Sequence, residues 1–262
     1  MTRDSLSESW AIQKRVLGAL LMREIITRFG RHNIGFLWLF AEPMLFTLGI
    51  AALWTIAGLH KVSDLPIVAF AVTGYSSVLL WRSMPSRCIS AIEPNLPLLY
   101  HRNVRLLDVF VARLLLEAAG TTISAVVLVL VFRSLEWMEF PEDVLLVAAG
   151  WMMLAWFGAS LALFLGALSA SSELVEKFWH PAAYILFPLS GAAFLVDSLP
   201  PVAQDAVLLL PMVHGVECLR EGFFGSKVVT HFDLGYVAAW NAGLTVAALL
   251  MIRAIADKVR PE

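Results

Sequence analysis

Glu42 stands beside Pro43 inside a long apolar run, and Arg113 and Glu117 lie one helical turn apart in another. An ionisable group at membrane depth is costly, so Glu42 should face protein or a water-filled cavity, either accepting from a neighbouring helix or marking a pathway. The Arg113–Glu117 spacing suits an ion pair within one helix. His214, Glu217 and Glu221 share a helix face further on. A divalent metal there would lack an evident fourth ligand, so polar capping and ion pairing with Arg220 is the favoured reading. As a functional alternative, His214, Glu217 and Arg220 would form an outer gate. Neither a G-x-x-x-x-G-K-[ST] phosphate loop nor a G-x-S-x-G nucleophile elbow occurs, so any uphill work must draw on another subunit or an ion gradient.

The elements that must carry these groups are membrane helices. Hydrophobic residues make up 59% of the 262 and charged residues 15%, and mean hydropathy is +0.77, against about 25% charged in soluble domains. Apolar runs at 34–58, 65–83, 106–132, 144–170, 178–197 and 234–254 suggest six spans, each near the ~20 residues that cross ~30 Å of hydrocarbon. Lys and Arg crowd one side: Arg3, Lys14, Arg15, Arg23, Arg28 and Arg31 before the first span, Arg82, Arg87, Arg102 and Arg105 after the second, and Arg253, Lys258 and Arg260 in the tail. The opposite side is rich in Asp and Glu, so both termini are expected in the cytoplasm. No apolar leader core precedes residue 15, and Cys88 and Cys218 would lie on opposite sides, excluding a disulfide between them.

Three further segments are patterned. In 1–31, Leu6, Trp10, Leu17, Leu20 and Leu21 form one stripe, read as an amphipathic helix floating on the cytoplasmic leaflet. Gly158, Ala162, Gly166 and Ala170 form a small-residue face for close helix packing. Residues 93–105 make a short amphipathic element, while 199–225 form two half-length apolar stretches parted at Pro211, expected to dip back into the outer leaflet. Pro43, Pro181 and Pro188 should bend their spans.

The order of RFGRHNIGFLWLFAEP at the first span, NLPLLYHRNV in the first cytoplasmic loop and LPMVHGVECLREGFF before the last span resembles the membrane subunit of bacterial type-2 ABC exporters, most closely the capsular polysaccharide exporters. The likeness covers essentially the whole chain and departs at His214–Gly215. It implies an all-α polytopic permease acting as a homodimer with two cytoplasmic ATPase subunits, moving a lipid-linked capsular glycan across the bacterial inner membrane. A periplasmic adaptor or co-polymerase would be a further partner, and no nucleic acid is expected. ATP and magnesium would sit in the partner subunit, with no cofactor on this chain. It further implies that Pro94, Asn95, Leu96, Pro97, Leu98, Leu99, Tyr100, His101 and Arg102 couple to the ATPase, and that the first, second and fifth spans wall the glycan path. Aromatic faces let a polymer slide without tight hydrogen bonds, which selects Trp38, Tyr75, Trp81, Phe187 and Phe194, with Glu42, for that path. Export of an O-antigen, a teichoic acid or a small drug is the alternative within the class, and a membrane-embedded lipid-sugar enzyme is the alternative outside it.

Overall fold

A computed structural model describes residues 6–29, 33–57, 61–62, 65–89, 91–99 and 104–259. The protein is an all-helical polytopic membrane protein. Its helices are α1 (Leu6–Phe29), α2 (Asn33–Ile56), α3 (Ile67–Cys88), α4 (Leu96–Leu99), α5 (Leu106–Ser134), α6 (Val144–Ser169), α7 (Leu174–Leu189), α8 (Pro201–Val207), α9 (Pro211–Phe224) and α10 (Leu234–Val259). A hairpin pairing Lys61–Val62 with Leu65–Pro66 joins α2 to α3. By length and composition α3, α5, α6 and Leu234–Ala256 of α10 can each cross a bilayer, and Ala41–Ile56 of α2 is a shorter apolar helix. The two half-length stretches before the last span become α8 and α9, which meet at 106°. Pro211 opens α9, where its missing N–H costs no helical hydrogen bond.

The core forms where α6 meets α3 and α9. Gly158 of α6 lies so close to α3 that a Cβ there would stand 2.7 Å from the Trp81 Cα, and one on Gly166 would stand 2.8 Å from Phe110 of α5. The small-residue face read from the sequence is therefore a contact face as far as Gly166, while Ala170 is exposed at the helix end. On the other side of α6, Gly215 of α9 presses against Leu154, with 2.6 Å left for a Cβ. All of α9 except Glu221 is buried, so this half-helix is core rather than a surface loop.

Three features differ from the sequence reading. α3 runs to Cys88, beyond the expected stop at residue 83, because Met84, Pro85 and Cys88 are buried and Arg87 complements the helix C-terminus. The fifth apolar run does not reach 197. α7 starts earlier, at Leu174, and ends at Leu189, where Pro188 has removed a donor and Gly191 takes φ +82. Phe194, expected within that span, therefore lies in the turn after it. Finally, α1 does more than rest on lipid. Trp10 is exposed, but Leu20 is buried and the helix lies along α5.

Candidate coupling element and cavity

Glu93–Asn95 form a single 3-10 turn that runs directly into α4. Pro94 opens the turn, and Asn95 locks it: its buried side chain donates from Nδ2 to the Ala91 carbonyl at 2.7 Å. The Asn95 Oδ1 accepts from Nη1 of Arg23 on α1, while Arg23 Nη2 reaches the Pro94 carbonyl at 3.4 Å. Leu96 and Pro97 are exposed, Leu98 is half-buried, and Leu99 packs inward on the core. The apolar knobs on offer at this point are thus Leu96 and Pro97, with Leu98 beside them. Tyr100, His101 and Arg102 lie outside the described residues. Beyond them Asp108 caps α5 by accepting the Arg105 backbone N–H at 2.8 Å, and its other oxygen accepts from Gln13 of α1. One helix, α1, therefore holds both flanks of the segment.

Behind this clamp lies an ion network. Arg113 and Glu117 do not pair with each other as their spacing suggested. Arg113 Nε meets Glu24 of α1 at 3.2 Å and its Nη1 donates to the Arg87 carbonyl at 2.7 Å. Glu117 takes Arg28 of α1 and Arg87 of α3, the latter at 3.3 Å, and Arg28 also lies 3.9 Å from Glu24. The three helices bring opposite charges closer than the intrahelical turn does, and Glu117, Arg113, Arg28 and Glu24 are each at most 16% exposed in their side chains. Removing one member of a pair that dry costs about 3–5 kcal/mol, since its partner is left uncompensated.

The network forms one wall of a cavity of about 260 Å³ between α2, α3 and α5, whose other walls carry Glu42, Tyr75, Arg82 and Ser83. Helix α7 leans against its rim through α3: Phe187 meets Tyr75 edge-on at 5.7 Å between ring centres, the Arg82 guanidinium lies 4.9 Å over the Tyr184 ring, and the Trp179 indole donates to Ser86 at 2.9 Å.

At the opposite end of the bundle Arg220 is completely buried. It gives its donors to backbone carbonyls in the turn after α7, Nη1 to Phe194 at 2.6 Å and Gly191, and Nη2 to Ala192 at 2.6 Å. Its guanidinium stacks 3.8 Å over Phe70. Glu217 accepts backbone N–H groups of Val196 and His231 at 3.4 and 3.2 Å. His214 Nε2 donates to the Leu208 carbonyl at 2.7 Å, while its Nδ1 accepts from the Asp233 backbone at 3.0 Å. The expected Arg220 ion pairs give way to a brace in which the three side chains tie α9 to the turns after α7, after α8 and before α10. Among the described residues no group of three or more His, Cys, Asp or Glu could hold a metal ion.

The model of the ABC-2 type transporter family matches residues 15–224. The chain belongs to that family. It is 44% identical over 260 residues to the capsule polysaccharide export inner-membrane protein CtrC of Neisseria meningitidis serogroup B, covering 99% of this chain and 98% of the relative. It is 42% identical to the capsule polysaccharide export inner-membrane protein BexB of Haemophilus influenzae, over 98% and 97% of the two chains. The polysialic acid transport protein KpsM of Escherichia coli is 26% identical over 92% of this chain and 94% of its own.

Within this ABC-2 chain the residues picked for a glycan path separate. Glu42 and Tyr75 line the cavity, and Phe187 stands at its rim. Trp38 is 53% exposed on α2. Trp81 does not face the cavity: it is completely buried against Phe157 of α6 at 5.8 Å, because Gly158 lets α6 close over its face of α3. Phe194 is half-buried and packs on the small cluster of Val196, Val207 and Val213. Sequence reasoning missed Gln13, Arg23, Glu24 and Arg28, and Arg82 and Ser83 besides. For the four on α1 the one local signal is a run of polar side chains on a helix otherwise rich in leucine.

Proposed function

We propose that the chain is the membrane subunit of an ATP-driven exporter that carries lipid-linked capsular polysaccharide across the bacterial inner membrane. The observation that carries this reading is the 44% identity, across 99% of the chain, to a protein named for capsule polysaccharide export at that membrane. Two copies and two ATPase subunits, which hold ATP and magnesium, make up the working unit, and a periplasmic adaptor receives the glycan. In this reading α2, α3, α5, α6, α7 and α10 serve as the six spans, the 16-residue α7 being the shortest, with both termini in the cytoplasm beside the ATPase. The exposed Leu96–Pro97 tip fits a groove on that subunit, as short amphipathic elements do. The brace of His214, Glu217 and Arg220 is the fixed frame of the outer gate.

Deleting the gene should leave capsule glycan inside the cell, and this chain supplied in trans should return it to the surface, as read by capsule antibody on intact and lysed cells. Surface capsule in the deletion strain would overturn the reading. The sidedness has its own test. Cys88 and Cys218 are buried, so a His101→Cys variant gives the labelling signal. A membrane-impermeant maleimide should leave it unlabelled in intact cells and label it in inverted vesicles.

A further inference from the structure

The cavity between α2, α3 and α5 has two chemically different depths. At 1.5 Å rise per residue, Arg82 lies about 9 Å and Tyr75 about 20 Å from the Cys88 end of α3. The shallow wall therefore carries Arg82, Arg87 and Arg28, with the Ser83 hydroxyl beside them, and Glu42 and Tyr75 stand on the other walls. Arg87 and Arg28 are already engaged by Glu117. Arg82 differs: among the described residues no carboxylate stands within ion-pair distance of it. Its guanidinium instead lies over the Tyr184 ring, 4.9 Å from the ring centre. That contact occupies the face of the guanidinium and not its N–H donors, with which arginine grips a phosphate through two parallel hydrogen bonds. Basic pockets between membrane helices on the cytoplasmic side hold anionic lipid head groups. The volume, about 260 Å³, falls below the roughly 300–1,000 Å³ that encloses a drug-sized ligand. It accommodates a head group rather than a chain of sugars.

We propose that this cavity binds the phosphate ester of an acyl-chain lipid, the linker of the exported glycan, with Arg82 as its principal ligand. Ser83 donates to a second phosphate oxygen. Glu42 repels the phosphate and so faces the hydroxyl-bearing side of the head group. The assignment rests on the export reading for its cargo, yet its test involves neither glycan nor ATP hydrolysis, so equal binding of charged and neutral lipids sinks the site and leaves the export reading standing.

The test is equilibrium binding to the purified permease–ATPase complex, by titration calorimetry, of dioctanoylphosphatidylglycerol, of dioctanoylglycerol with the same chains and no phosphate, and of sodium phosphate. The phospholipid should bind and the neutral lipid should not. Arg82→Gln should weaken phospholipid binding by about tenfold or more, the scale of a charge-assisted hydrogen bond. Arg82→Lys should fall between, and Glu42→Gln should tighten binding. Those opposite signs are not produced by a general loss of structure, so the Glu42 variant keeps the test sharp if Arg82→Gln folds poorly. Unchanged affinity in Arg82→Gln, or weaker binding in Glu42→Gln, overturns the site. Sodium phosphate that competes as well as the phospholipid does would assign the cavity to the free anion and overturn the lipid-linker assignment.

Discussion

Arg220→Met is expected to yield almost no folded protein in the membrane. Methionine keeps the length and the apolar stem but supplies no donor, and the arginine is completely buried. The carbonyls of Gly191, Ala192 and Phe194 would lose their common partner. A buried acceptor left unmade costs about 1–3 kcal/mol, so losing all of these together approaches the roughly 5–15 kcal/mol that holds a typical domain folded. Stacking on Phe70 is lost as well. Arg220→Lys should rescue little, because an ammonium is a point charge on a flexible stem and cannot span carbonyls placed around a planar fork. Gly74→Ala attacks the same joint from the other side, since its Cβ would stand 2.4 Å from the Ala192 oxygen and 2.7 Å from Arg220 Nη2. Yield and thermal midpoint of the detergent-purified protein measure both variants. A near-normal midpoint in Arg220→Met would show that the turn after α7 holds itself.

That joint also marks where the chain's legibility ends. Pro211 parting the half-helices, the small face of α6 and the long apolar runs are local signals, and each corresponds to an element or a contact in the structure. The end of α7 was signalled too, by Pro188 and Gly191, but the apolar Ala192, Ala193 and Phe194 beyond them kept the run looking continuous. Partners were not legible. Arg113 and Glu117 satisfy the intrahelical spacing rule, yet Glu24 and Arg28 come from a helix some ninety residues earlier in the chain and win the pairing. Hydropathy does not distinguish a ring that faces a cavity from one pressed on glycine, so it does not separate Trp81, buried against α6, from Tyr75, six residues before it on the same helix, which lines the cavity. Apolar composition sets depth in the membrane, but in lipid the rotation of each helix follows small residues and buried polar contacts that lie far apart in sequence.

The long-range partners of α1 lead to the second large effect: Arg23→Ala should uncouple export from ATP hydrolysis. Arg23 is exposed, so its loss should leave the bundle folded. What disappears is the pair of bonds that hold the Pro94–Asn95 turn. A hydrogen bond to a charged group contributes about 1.5–3 kcal/mol, enough to change a held turn into one that yields when pushed. If the ATPase drives this turn, a yielding turn absorbs the stroke before α1 and the Glu24–Arg28–Arg113–Glu117 network can carry it to α5. Surface capsule should then fall at least about tenfold, the factor that 1.4 kcal/mol commands, while the complex still assembles and hydrolyses ATP. Asn95→Ala should do the same, and the double variant should lose clearly less than the sum of the two singles, because both remove the Arg23–Asn95 bond. Gln13→Ala, which frees only the Asp108 flank, should be milder. Additive losses in the double variant would mean that Arg23 and Asn95 act separately, and α1 would then be an anchor with no part in transmission.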